Sequence, residues 1–278
     1  MRKHYFNQNY FSEITTEEQA YWLGFISADG SVGNDYSITI GLAKKDEKHI
    51  QKFAEAIDYK NKLTEKLANG KYPTTYIQLY SKTMFSDLGN KGIFPRKTFT
   101  AKPWVGTENL MKHYWRGVFD GDGSINRSIK KRKNVEDYSQ WRVNLVGTLE
   151  IVQGFNDFVF NNTEAPYNSG KISPHSSVYS ITYSGIRPSQ KVLNLLYSNC
   201  SLFLDRKYLL FQQVVKLKLQ EKVISGLTLE VLEPLKEKLG NWESVAKELG
   251  ISRNGLYKHL RRNNVKLREM KHWTRTKM

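Results

Sequence analysis

Two aspartates are the residues best placed to do chemistry. Asp29 lies in YWLGFISADGSV (21–32) and Asp122 in YWRGVFDGDGSI (114–125). Tyr, Trp, Gly, Asp, Gly and Ser recur at matching places, with apolar residues between them. A single Asp-Gly is ordinarily a turn. Two copies in matching context indicate a duplicated domain, because the spacing is too long for a solenoid repeat. Gly24 and Ala28 are four residues apart, hence on one helix face, and Gly117 and Gly121 repeat that spacing. Glycine inside a helix costs about 1 kcal/mol relative to alanine, so it needs a packing reason. The spacing predicts two helices, one per half, packed closely with their C-terminal ends side by side. A carboxylate at a helix C-terminus opposes the helix dipole, and two brought together repel. A divalent cation relieves both problems. Mg²⁺ prefers a few hard oxygen ligands completed by water and phosphate. Bound metal can activate water and stabilise the leaving oxygen of a phosphodiester.

The elements around these motifs repeat as well. Tyr36–Leu42 and Trp141–Leu145 alternate as half-buried strands do. Helices are predicted over Asp46–Ile57 and Glu150–Phe160. Strand pairs follow, Lys62–Leu67 with Thr75–Tyr80 and Tyr167–Ile172 with Val178–Tyr183, turning at Asn69-Gly70 and Ser169-Gly170. Helices Lys82–Leu88 and Ser189–Tyr197 come next. The halves close on similar phrases, Phe94-Pro95-Arg96-Lys97 and Leu204-Asp205-Arg206-Lys207. The predicted domains are 1–105, 106–225 and 226–278 of the 278 residues.

The net charge of +16 and the pI near 9.6 point to nucleic acid first and an anionic membrane surface second. Lys130, Lys131, Arg132 and Lys133 concentrate in the stretch Asn126–Gln140, by which the second half is longer. A basic hairpin there would make a phosphate-contacting arm, and Arg142 on the strand that follows is a further DNA-binding candidate. The single cysteine excludes a disulfide framework and a cysteine zinc cluster. No signal peptide or membrane span is read, so the expected location is intracellular, cytoplasmic or organellar, with no membrane partner. The six histidines form no pattern and are read as surface or structural residues.

Trp22–Gly30 and Trp115–Gly123 resemble the signature of the LAGLIDADG homing endonucleases, and the order of elements is similar to that family's duplicated αββαββα fold. The resemblance covers roughly residues 15–215. It implies an α+β architecture with two antiparallel DNA-binding sheets. It implies a metal-dependent cut of double-stranded DNA, one strand per active site across the minor groove, leaving short 3′ overhangs. Asp29 and Asp122 would bind the metal, with the carbonyls of Ala28 and Gly121 as further ligands. Mg²⁺ or Mn²⁺ would support cleavage and Ca²⁺ binding alone. Lys97 and Lys207 match lysines near the scissile phosphates, and Lys44 is a weaker match for orienting water, with Thr148 in its place in the second half. Ser27 departs from the signature where Asp120 keeps it, so the half-sites are expected to be unequal. The expected protein is a monomer on a long pseudo-palindromic or asymmetric target. The alternatives are a non-cleaving regulator and a maturase acting on intron RNA.

Beyond about Ser225 the composition changes. Between 241 and 278 stand ten Lys or Arg against three Glu. Helices are predicted over Thr228–Lys238, Trp242–Leu249 and Arg253–Asn263, with Ser252 as the last helix's N-cap. WESVAKELGISRNGLYKHLRRN resembles the helix-turn-helix of Fis-like regulators. That likeness implies a core of Val245, Ala246, Leu249, Ile251, Leu256 and Leu260. Arg253, Asn254, Tyr257, Lys258 and Arg261 would then face the major groove.

Overall fold

A computed structural model of the chain describes residues 5–132, 135–163, 169–217, 227–251 and 253–262. Side chains of 130–132, 135–139, 254 and 262 lie outside that description. Contacts divide the chain into two compact units, Met1–Lys218 and Leu219–Met278.

The first unit is a duplicated α+β structure. Its first half runs α1 (Glu17–Asp29), β1 (Ser31–Val32), β2 (Ser37–Ala43), α2 (Glu47–Ala56), β3 (Thr64–Ala68), β4 (Tyr72–Tyr80) and α3 (Lys82–Asn90). A 3-10 turn, Lys97–Phe99, closes it. The second half runs α4 (Glu108–Asp122), β5 (Gly123–Arg132), β6 (Val135–Gly147), α5 (Leu149–Asn162), β7 (Gly170–His175), β8 (Val178–Ser184), α6 (Ile186–Tyr197) and α7 (Asp205–Val215). Each half is αββαββα, and the second adds α7 where the first has only the 3-10 turn. Each half forms one antiparallel four-stranded sheet, ordered β1-β2-β4-β3 and β5-β6-β8-β7.

Local chemistry explains most of these boundaries. Thr16 caps α1 through a reciprocal box with Gln19, its hydroxyl accepting from the Gln19 amide at 3.2 Å. Asn69 and Gly70 adopt φ of 50° and 69°, the left-handed pair a tight hairpin needs. The second hairpin departs from the sequence reading. Gly170 opens β7 rather than turning the chain, and the reversal falls between His175 and Val178, with left-handed Ser176. Serine in that conformation carries no composition signal, whereas Ser-Gly does.

The two motif helices form the centre. A Cβ on Gly24 would lie 2.0 Å from the Tyr114 carbonyl oxygen, and one on Gly117 would lie 2.0 Å from that of Tyr21. The helices therefore touch backbone to backbone, in the same way from either side. Trp22, Phe25 and Phe53 fill the core beside one helix, and Trp115, Phe119 and Phe155 beside the other. In β6, Trp141, Val143 and Leu145 are buried while Arg142 and Asn144 stay partly exposed, so the sheet has one covered and one open face.

The second unit holds α8 (Leu229–Leu239), α9 (Trp242–Glu248) and α10 (Arg253–Arg262). Leu232, Trp242, Val245, Ala246, Leu256 and Leu260 make its core, with Leu249 and Ile251 partly buried against it. Gly250, at φ 62°, ends α9 before the turn into α10. Ser252 lies outside the described residues.

Candidate active site

Asp29 ends α1 and Asp122 ends α4. The helix contact brings these ends together: a Cβ on Gly121 would lie 2.5 Å from the Ala28 Cβ and 3.3 Å from the Asp29 Cβ. Both carboxylates keep exposed surface. Burial first and the nearby Asp29 charge second raise the Asp122 pKa to about 6, against the pull of Lys97 and Lys207. Asp29 is also raised by burial, with Lys207, Lys97 and Arg206 pulling the other way. The two acids thus feel each other.

The two lysines stand at the same helix ends. Lys97 Nζ donates to the Ala28 carbonyl at 2.9 Å, and burial lowers its pKa against the pull of Asp122 and Asp29. Lys207 Nζ donates to the carbonyls of Phe119 at 2.6 Å and Asp120 at 2.8 Å. Burial brings its pKa down to about 8. The lysines bring positive charge to the last carbonyls of the two helices, where the aspartates oppose the helix dipole. Lys207 sits inside the first turn of α7 rather than ahead of it, and it is buried.

Lys44 is placed differently. It pairs with Glu47 at 2.8 Å and Glu65 at 2.5 Å, and those pairs raise its pKa. Glu65 lies across the sheet on β3, a partner the local sequence does not announce. Thr148, its counterpart, caps α5 and donates to the Ala101 carbonyl at 2.7 Å. A cavity of about 290 Å³ opens beside Thr148, Lys97, Ala28 and Asp122.

Sequence reasoning missed a buried polar hub. The Asp120 carboxyl accepts from Tyr21 Oη at 2.8 Å, Tyr197 Oη at 2.5 Å and the Leu204 amide at 2.8 Å. Tyr21 also meets His49 Nε2 at 2.8 Å, and burial pushes that imidazole down to about 3, so it is neutral. The available signal was the tyrosine opening both motifs: each reaches across to the opposite helix, Tyr21 to Asp120 and Tyr114 towards Ser27.

The expected DNA-contacting residues are dispersed. Arg142 lies on the open face of β6, opposite Asn126 and Ser184, and donates to Gln140 at 3.3 Å. The backbones of Lys130, Lys131 and Arg132 extend β5, as an extended hairpin requires, while their side chains and all of Lys133 lie outside the described residues. On α10, Arg253, Lys258 and Arg261 are exposed and Tyr257 is half-buried, while Leu256 and Leu260 face the core. The Asn254 side chain lies outside the described residues.

Among the described residues, no group of three or more His, Cys, Asp or Glu side chains could hold a metal ion. The protein's own donors at the helix ends are two hard carboxylates with adjacent carbonyls. That set fits an ion whose remaining ligands are water and phosphate. No described helix is long and apolar enough to cross a membrane.

Known structures share this fold. The meganuclease I-SmaMI, bound to uncleavable DNA with a TTCT central four, superposes with a TM-score of 0.52 at 14% identity, over 80% of this chain and 96% of that one. The fold is the LAGLIDADG endonuclease fold. The I-LtrWI LAGLIDADG homing endonuclease bound to target DNA superposes with a TM-score of 0.50 at 13% identity, over 83% of this chain and 97% of that one. No family model matches the sequence, and no curated protein matches it significantly. The LAGLIDADG fold is thus held here by a sequence in which the seam glycines and the paired helix-end aspartates are the plainest marks of it.

Proposed function

We propose that this protein is a site-specific endonuclease of double-stranded DNA that uses a divalent metal ion and leaves short 3′ overhangs. The observation that carries this reading is the pair of aspartates ending two touching helices, each helix end also carrying a lysine ammonium. Like charges are not gathered at helix C-termini without a use for them. The DNA bound to I-SmaMI and I-LtrWI supports duplex DNA as the partner.

Asp29 and Asp122, with the carbonyls of Ala28 and Gly121, would hold Mg²⁺ or Mn²⁺. The ion supplies a water of lowered pKa and charge neutralisation for the leaving oxygen. Lys97 adds positive charge beside the phosphate. Arg142 and the other open-face residues of the second sheet contact the duplex, and the β5–β6 hairpin with Lys130, Lys131, Arg132 and Lys133 grips its backbone. The second unit acts as a helix-turn-helix, with Arg253, Asn254, Tyr257, Lys258 and Arg261 entering the major groove. Linking it to the nuclease raises its effective concentration at the site.

The test is incubation of a randomised duplex library with the protein in Mg²⁺ and, separately, in Ca²⁺. Discrete cuts with short 3′ overhangs in Mg²⁺, and retention without cutting in Ca²⁺, are expected. Sequence-specific retention with no cutting in either ion would make the protein a regulator. Preference for structured RNA over any duplex would make it a maturase.

A further inference from the structure

The two lysines at the helix ends match in sequence and differ in setting. Lys207 is 2% exposed and spends two of its three N–H donors on the Phe119 and Asp120 carbonyls. The turn that carries it is fastened from three sides. Asp120 accepts the amide of Leu204, the residue that caps α7, while also gripping Tyr21 and Tyr197. Asp205 pairs with Lys52 at 2.8 Å, and Arg206 pairs with Asp46 at 3.0 Å.

The equivalent place in the first half is loose. Ser27 stands where Asp120 does, and Tyr114 Oη reaches its hydroxyl only at 3.5 Å, the outer limit of a hydrogen bond. Lys97 sits in a three-residue 3-10 turn entered through left-handed Arg96, at φ 60°. It is half-buried, has one hydrogen bond to Ala28, and borders the 290 Å³ cavity with Asp122. Two of its donors remain for an incoming phosphate. Lys207 has one, sealed from solvent.

We propose that Asp120 is a positioning residue that locks Lys207 away from the phosphate, so that the two DNA strands are cut in order, the strand served by Lys97 first. The inference rests on the nuclease reading above. At each strand a P–O bond to the oxygen of water replaces the P–O bond to a deoxyribose oxygen. The water gives up its proton to solvent and the departing oxygen gains one. Only the charge available to the phosphate differs between the two cuts.

The experiment uses the full chain and a supercoiled plasmid carrying a duplex that the protein has selected from a randomised library. Each strand is followed separately in Mg²⁺. The unaltered protein should pass through a nicked circle, one strand cut at least about tenfold faster, the scale of one charge-assisted contact. Lys97→Met should slow that fast strand selectively. Asp120→Ser, which gives the second half the chemistry of the first, should bring the two rates together by speeding the slow strand. Tyr197→Phe removes one of the three donors and serves if Asp120→Ser does not fold. A role confined to folding would slow both strands and leave their ratio unchanged, overturning the inference. Equal strand rates in the unaltered protein would overturn it too, with the nuclease reading intact. Absence of any Mg²⁺-dependent cut would overturn both.

Discussion

The central helices are alike where they touch and unlike where they end. Along the contact, Gly24 meets the Tyr114 carbonyl as Gly117 meets that of Tyr21, each at 2.0 Å for a built Cβ. At the ends, Asp120 collects three hydrogen bonds where Ser27 has one long one. The difference shows what duplication can relax. Backbone cannot yield, so close approach demands glycine on both sides. Side-chain hydrogen bonds around the ends depend on local partners and can diverge separately, leaving the paired acids in place.

The comparison can be broken first at the hub. Asp120→Ala leaves two tyrosine hydroxyls and the Leu204 amide without their acceptor and buried Lys207 without a counter-charge, and should cost about 3–5 kcal/mol. Ser27→Ala should cost less than about 1 kcal/mol. Urea unfolding of both variants measures the gap; equal costs would mean the halves are not unequal there. Next, Gly24→Ala and Gly117→Ala should each cost about 3 kcal/mol, and by similar amounts, because each methyl meets a carbonyl oxygen. A tolerated substitution on one side alone would show that the seam is not symmetric.

A subtler effect concerns pH. The folded Asp122 pKa, about 6 against 3.8, means that the metal-free native state holds this proton where the unfolded chain has released it. Stability from this group is therefore lost as pH rises from about 4 through about 6. Asp122→Asn should raise the melting temperature of the metal-free protein at pH 7.5 and have little effect at pH 4, read by thermal unfolding. The smallest effect is expected at Lys44. Its pairs with Glu47 and Glu65 are screened by solvent, so Lys44→Ala should leave the midpoint of the same urea titration nearly unchanged.

The repeat made the duplicated fold legible, because glycine spacing, strand alternation and turn residues all point to the same arrangement. The helix-end aspartates were legible for the same reason: the helix dipole makes them anomalous. What escaped depends on contacts between distant residues. Asp120 joins Tyr21, Tyr197 and Leu204 across three elements, and Lys44 is taken by a glutamate on another strand. Lys207 reads as the twin of Lys97 until α7 folds it beneath α4. The closing phrases of the halves look alike, yet one starts an eleven-residue helix and the other a three-residue turn. Asp205 and Arg206 are fastened by Lys52 and Asp46, partners in the other half that the phrase does not contain.

The assignment of Asp29 and Asp122 as metal ligands can be tested directly by anomalous diffraction from crystals of the protein with a bound duplex and Mn²⁺. A manganese peak about 2 Å from carboxylate oxygens of both aspartates is expected, lying against the DNA backbone. Manganese bound on the duplex with neither aspartate among its ligands would contradict the assignment.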